Sequence, residues 1–122
     1  MKLRIRGNSI RLRLSQGEVE RFASDGRVEE TVDFGSGKRG FTYALMTVSE
    51  GGLSAEFDGG RLCVYVPEGL AREWMNSDQV GFGSTKDATG PRILVEKDFA
   101  CIKPREGEDE SDMYPHPQPA VC

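Results

Sequence analysis

The sequence predicts an α+β domain made of two ββαββ units related by internal pseudo-duplication, with about eight mostly antiparallel strands and two short helices. Three observations carry this. Short segments in which apolar and polar residues alternate with period two recur along the chain, divided by glycine-containing turns. Two other segments switch to helical spacing behind a helix-start signal. The order of elements in the first half recurs in the second when the sequence is displaced by 52 residues.

"KLRIR" and "IRLRL" alternate, with Leu3 and Ile5 on one side and Ile10, Leu12 and Leu14 likewise. "GNS" between them makes a hairpin turn. Ser15 with Glu18 three residues on forms a capping box, and Val19, Phe22 and Ala23 then give one apolar helical face that ends at Gly26. "RVEETVDF" alternates through Val28, Glu30 and Val32. "GSGKRG" is a loop, and "FTYALMTV", apolar on both faces, reads as a central strand. In the second half, "LSAEF" and "RLCVYV" flank the turn "DGG". "PEGLAREWM" is a short helix with Pro67 in its first turn and Leu70, Ala71, Trp74 and Met75 inward. "QVGFGS" and "RILVEK" are the last strands.

Under the displacement Gly7 falls on Gly59, Leu14 on Val66, Gly17 on Gly69, Phe22 on Trp74 and Val28 on Val80. The units span 1–48 and 53–100, within one domain over 1–103. Residues 104–122 lose all periodicity and form an acidic, proline-containing tail. The pattern leaves open whether the strands make one curved sheet, two packed sheets or a closed barrel.

A chain of 122 residues can bury a core without disulfide or metal staples. No apolar run reaches the roughly 18–20 residues of a membrane span, and the arginine-rich start is unlike a signal peptide, so the expected compartment is the cytoplasm. Three scattered cysteines fit reduced thiols, with Cys63 as a small buried apolar residue. A net charge of −4 argues against general nucleic-acid binding.

"MKLRIRGNSIRLRLSQGEVERF", "LSAEF", "VYVPEGLAREW", "DQVGF", "LVEKDFACI" and "GEDESDMYP" together resemble a family of small bacterial proteins of unknown function, over nearly the whole chain. The resemblance implies no activity, ligand or catalytic residue. Function must be argued from the residues.

Motifs for catalysis are weak. The sole histidine, His116, lies between two prolines in the tail, a poor place for a rigid triad. "GSGKRG" lacks the leading glycine and the Ser/Thr of a phosphate-binding loop, and a strand follows it. Glu29 and Glu30 are adjacent on a strand and point apart, and Glu18 and Glu20 diverge on a helix, so these read as surface charges. Cys101, Asp112, His116 and Cys122 are the residue types of a zinc site, but their spacing matches no common finger.

The strongest feature is a charge asymmetry. Lys2, Arg4, Arg6, Arg11 and Arg13 alternate with apolar residues and therefore share one hairpin face, while Glu106, Glu108, Asp109, Glu110 and Asp112 crowd the tail. Like charges across neighbouring strands repel. Solvent, carboxylates on adjoining strands such as Glu56 or Glu96, an anionic ligand, or the tail itself can compensate. The leading expectation is a non-enzymatic binding or interaction module that uses these five cations, with its own tail docking on them and an anionic ligand or protein as partner. The alternative is a zinc-binding protein or small-molecule enzyme centred on Cys101 and His116. A third is assembly through an edge strand.

Overall fold

The computed structural model describes residues 1–38, 40–85 and 89–99. The hairpin of β1 (Lys2–Arg6) and β2 (Ser9–Leu14) leads into α1 (Gln16–Asp25), β3 (Arg27–Val32) and β4 (Phe41–Val48). The hairpin of β5 (Ser54–Asp58) and β6 (Arg61–Pro67) leads into α2 (Glu68–Met75), β7 (Gly81–Gly83) and β8 (Arg92–Lys97). Ser15 caps α1 through the full capping box with Glu18, and Gly26 closes it in the left-handed conformation at φ 70°. Pro67 opens α2 without a side-chain cap.

The strands form two four-stranded sheets, β1-β2-β8-β7 (sheet A) and β3-β4-β6-β5 (sheet B). Each sheet takes one hairpin from each unit. Pairing within a hairpin is antiparallel, whereas the two central pairs, β2 with β8 and β4 with β6, are parallel. Exchanging the units turns the order of sheet A into that of sheet B. Register follows suit: Lys2 pairs Arg13 as Ser54 pairs Tyr65, and Ile10 pairs Ile93 as Leu62 pairs Tyr43. This pseudo-two-fold is what the repeated element order foreshadowed.

One equivalence is corrected by the register. Val28 faces Leu45 across β3 and β4, and the residue facing Val95 across β7 and β8 is Phe82. Val28 therefore corresponds to Phe82, both buried, while Val80 is half exposed ahead of β7. The connection after α2 is two residues longer than that after α1, and the carbonyl of Val80 accepts the Trp74 indole N–H at 3.0 Å.

The core lies between the inner sheet faces. Ile10, Leu12, Leu14, Ile93, Val95 and Phe82 of sheet A meet Val28, Leu45, Leu62, Val64 and Val66 of sheet B. Both helices close one end, where β2 and β6 stop, and each inserts its largest ring, Phe22 or Trp74, into the core at 0% exposure. Ala23 is exposed and Glu18 is buried, which turns the inward face of α1 by one position from the expected apolar set. The opposite end, at the hairpin turns Gly7–Asn8 and Gly59–Gly60, carries no helix among the described residues.

Candidate functional site

The period-two pattern of the N-terminal hairpin places Lys2, Arg4 and Arg6 of β1 and Arg11 and Arg13 of β2 on the outer face of sheet A. Register sets Lys2 opposite Arg13 and Arg4 opposite Arg11. The parallel neighbour β8 adds Arg92, opposite Ser9, and Glu96, opposite Arg13. The predicted face is thus intact and one cation larger than the hairpin alone.

Carboxylates on β8 and directly after it temper it. Glu96 Oε1 stands 3.4 Å from Arg11 Nε and 3.8 Å from Arg13 Nε, and Lys2 Nζ reaches Asp98 at 2.8 Å. Glu96 is the adjoining-strand compensation the sequence allowed for; Glu56 lies on β5 of the other sheet. Glycine shapes this arrangement. A Cβ at Gly81 of β7 would stand 2.6 Å from the Val95 carbonyl oxygen and 2.8 Å from Glu96 Cγ, so the bare backbone of β7 leaves room for the Glu96 side chain. Lys2, Arg4, Arg6 and Arg92 are exposed, and Arg11 and Arg13 are half-buried beside Glu96.

A second polar group, inside the molecule, lay beyond the sequence reading. The Met1 ammonium donates to Glu18 Oε2 and to Glu30 Oε1. The Tyr43 hydroxyl lies 2.9 Å from the Met1 carbonyl oxygen and 3.0 Å from Glu30 Oε2, and its single proton serves one or the other. Burial would raise the pKa of Glu18, but hydrogen bonds from the Met1 ammonium and the Ser15 backbone N–H outweigh it and hold the group at about 2. Burial likewise opposes the charge on the Met1 amine, and its bonds to Glu18 and Glu30 prevail, raising its pKa. Tyr43 is raised by burial first and then by the neighbouring Glu30. Glu18 is thus a buried charge rather than the expected surface one, and it converges with the half-exposed Glu30 from a helix and a strand. The signal was present for Glu30, which occupies an inward register position between Val28 and Val32. Glu18 was legible only as a cap.

This cluster breaks the pseudo-symmetry. By the same register, Met1, Glu18 and Tyr43 correspond to Leu53, Leu70 and Ile93, all packed against or within the core. Glu30 corresponds to Ser84, which stays polar, so three of the four positions are apolar in the second half.

At the helix-free end, Ile5, Ile10, Phe41, Phe57, Leu62 and Pro91 line a groove of about 370 Å³ beside the hairpin tip Gly7–Ser9. These six are three equivalent pairs, Ile5 with Phe57, Ile10 with Leu62 and Phe41 with Pro91, so the groove sits on the pseudo-two-fold. Ile5, which the alternation pattern places with the inner residues of the hairpin, is 59% exposed, and Phe57 is 65% exposed. Phe41 lies 6.2 Å from both Tyr43 and Phe57 by ring centroid, and its cross-strand partner Val32 prolongs the apolar surface.

The zinc candidates Cys101, Asp112, His116 and Cys122, and the whole tail, lie outside the described residues. Among the described residues no three His, Cys, Asp or Glu side chains are grouped to hold a metal. Cys63 is buried, as expected. No helix among the described residues is long and apolar enough to cross a membrane.

No curated protein and no solved structure matches the chain. Residues 1–118 match DUF7009, a family of unknown function, and the chain belongs to that family.

Proposed function

We propose that the protein is a non-enzymatic binding module whose working surface is the outer face of sheet A. The single observation that carries this reading is the row of cations formed in register by Lys2, Arg4, Arg6, Arg11, Arg13 and Arg92 across three neighbouring strands. Opposed like charges destabilise a sheet by several tenths of a kcal/mol per pair, roughly, so the row carries a standing cost that an anionic partner relieves. Glu96 and Asp98 relieve part of it.

The partner closest to hand is the chain's own acidic tail, with Glu106, Glu108, Asp109, Glu110 and Asp112. In this reading the tail occupies the face until an external anionic ligand or an acidic protein surface displaces it. Exposed ion pairs contribute about 0–1 kcal/mol each and weaken in salt, so occupancy is salt-sensitive by design. Base stacking plays no part, because the cationic face carries no aromatic side chain among the described residues.

Amide hydrogen exchange of the full chain tests this. Amides beyond Pro104 should be protected at low ionic strength and approach free-peptide rates in high salt. Replacing Arg11 and Arg13 with Glu should abolish the protection, and neutralising the five tail acids to Gln or Asn should raise the affinity for heparin. Free-peptide exchange in the unaltered protein at low salt, with no change in heparin affinity in the neutralised tail variant, would refute the reading.

A further inference from the structure

From the path of the chain and the shape of sheet A, we infer that the groove at the helix-free end is the seat of the tail's Met113–Tyr114 pair. This rests on the tail-docking reading above and assigns the apolar half of that contact. The argument begins with direction. β8 runs parallel to β2 and ends with Lys97 beside Leu14, so the chain leaves sheet A at the end where Lys2 and Arg13 pair. The groove lies at the other end, past Arg4, Arg11 and Arg6. A tail returning over the outer face meets the cations first and the groove last.

The tail's own sequence has the same order. The acids Glu106 to Asp112 come first, and Met113 and Tyr114 follow at once. Reach is ample. From Leu14 back to Ser9 a strand covers about 17 Å at about 3.3 Å per residue. The fourteen residues from Ala100 to Met113 extend to roughly 46–50 Å. With Asp112 opposite Arg6, the last cation of β1, the next two residues round the hairpin tip at Gly7–Asn8, whose inner side opens on the groove. The lining there is almost wholly apolar, and Asn8 and Ser9 on the rim offer partners for a phenol hydroxyl.

The groove, at about 370 Å³, is at the small end of the roughly 300–1,000 Å³ of pockets that hold ligands, a size for one or two side chains rather than a large molecule. Pro115 and Pro117 behind the pair restrict the free segment and lower the entropy lost on seating it. Charge alone, on an exposed face, would leave the tail mobile in physiological salt; an aromatic in an apolar groove adds a contribution that salt does not screen.

The test uses the full chain with Gln118→Cys, Cys101→Ser and Cys122→Ser, carrying a nitroxide at position 118; Cys63, at 6% exposure, stays unlabelled. The expected result is paramagnetic loss of the Ile5, Ile10 and Leu62 methyl signals. Tyr114→Ala should restore them, as should Phe57→Ala, a substitution at an exposed site that the fold tolerates. Loss confined to the amides of Arg4 and Arg11, with intact groove methyls, overturns the groove assignment and leaves tail docking standing. No loss anywhere on sheet A overturns both. Loss seen only between nitroxide-bearing chains and separate isotope-labelled chains assigns the groove to a second copy's tail and overturns the intramolecular contact.

Discussion

Phe22 and Trp74 meet edge to face, their ring centroids 6.4 Å apart and their planes at 64°, each on the helix of its own unit and each fully buried. They are equivalent residues under the pseudo-two-fold, so the contact marks where its axis crosses the helical end. Trp74 goes on to stack edgewise on Phe82 at 5.3 Å and lies under Lys97 Nζ at 5.7 Å. Replacing either ring with Ala should cost about 3–5 kcal/mol, read as a shift in the urea midpoint. Because the two rings touch, the double variant should lose less than the two single losses combined. Strict additivity would mean the helices do not communicate through this contact.

The pH dependence of stability follows from Glu18. Its pKa falls from 4.5 to about 2 on folding, so the folded protein holds the charge where the unfolded chain takes up a proton. Its contribution is complete above about pH 4.5 and is lost as pH falls towards about 2. Glu18→Gln keeps a side chain able to cap α1 but removes the charge. The variant should be less stable at neutral pH, and its stability should decline less steeply between those limits. Parallel curves for the two proteins would show that Glu18 is not the titrating group.

Gly81→Ala puts a Cβ into the Val95 carbonyl and the Glu96 side chain. The expected loss is about 1–3 kcal/mol, the usual range for overpacking, measured by thermal melting. A wild-type melting temperature would mean that β7 can lift from β8 at no cost.

Glu96→Gln removes the carboxylate shared by Arg11 and Arg13. Stability should fall by about 1 kcal/mol or less, the scale of a partly exposed ion pair, and heparin affinity should rise. Unchanged affinity would show that the face does not bind polyanions through these two arginines.

Chelation should leave the melting temperature unchanged, because every residue of the described core precedes position 100. A drop that zinc reverses in the unaltered protein, and that is absent in His116→Ala, would restore the metal site of Cys101, Asp112, His116 and Cys122.

Local pattern made the hairpins, both helices and the cationic face legible, because each depends on neighbours along the chain: alternation fixes which side Arg11 faces, and Ser15 with Glu18 fixes where α1 begins. Strand partners between hairpins depend on no such neighbour. Nothing in "SIRLRL" states that it will lie beside "RILVEK", so the two-sheet exchange stayed open. Glu18 was hidden for a similar reason. Its role as cap was local and visible, while its meeting with Glu30 needs α1 to pack on β3. The groove was missed because alternation assigns Ile5 to an inner face without saying where the opposite sheet stops covering it.

The exchange of hairpins between sheets has a consequence for how such a chain can arise. A single ββαββ unit owns half of each sheet and the whole of neither, so alone it presents two open parallel-pairing edges. Two unlinked copies would close both sheets only by associating, and their stability would rise and fall with protein concentration. The short span 49–52 between Val48 and Leu53 abolishes that dependence by making the encounter intramolecular. It also frees the two halves to diverge. A residue in one need no longer be repeated in the other, and the polar cluster of the Met1 amine, Glu18 and Tyr43, at positions equivalent to the oily Leu53, Leu70 and Ile93, is what that freedom allows.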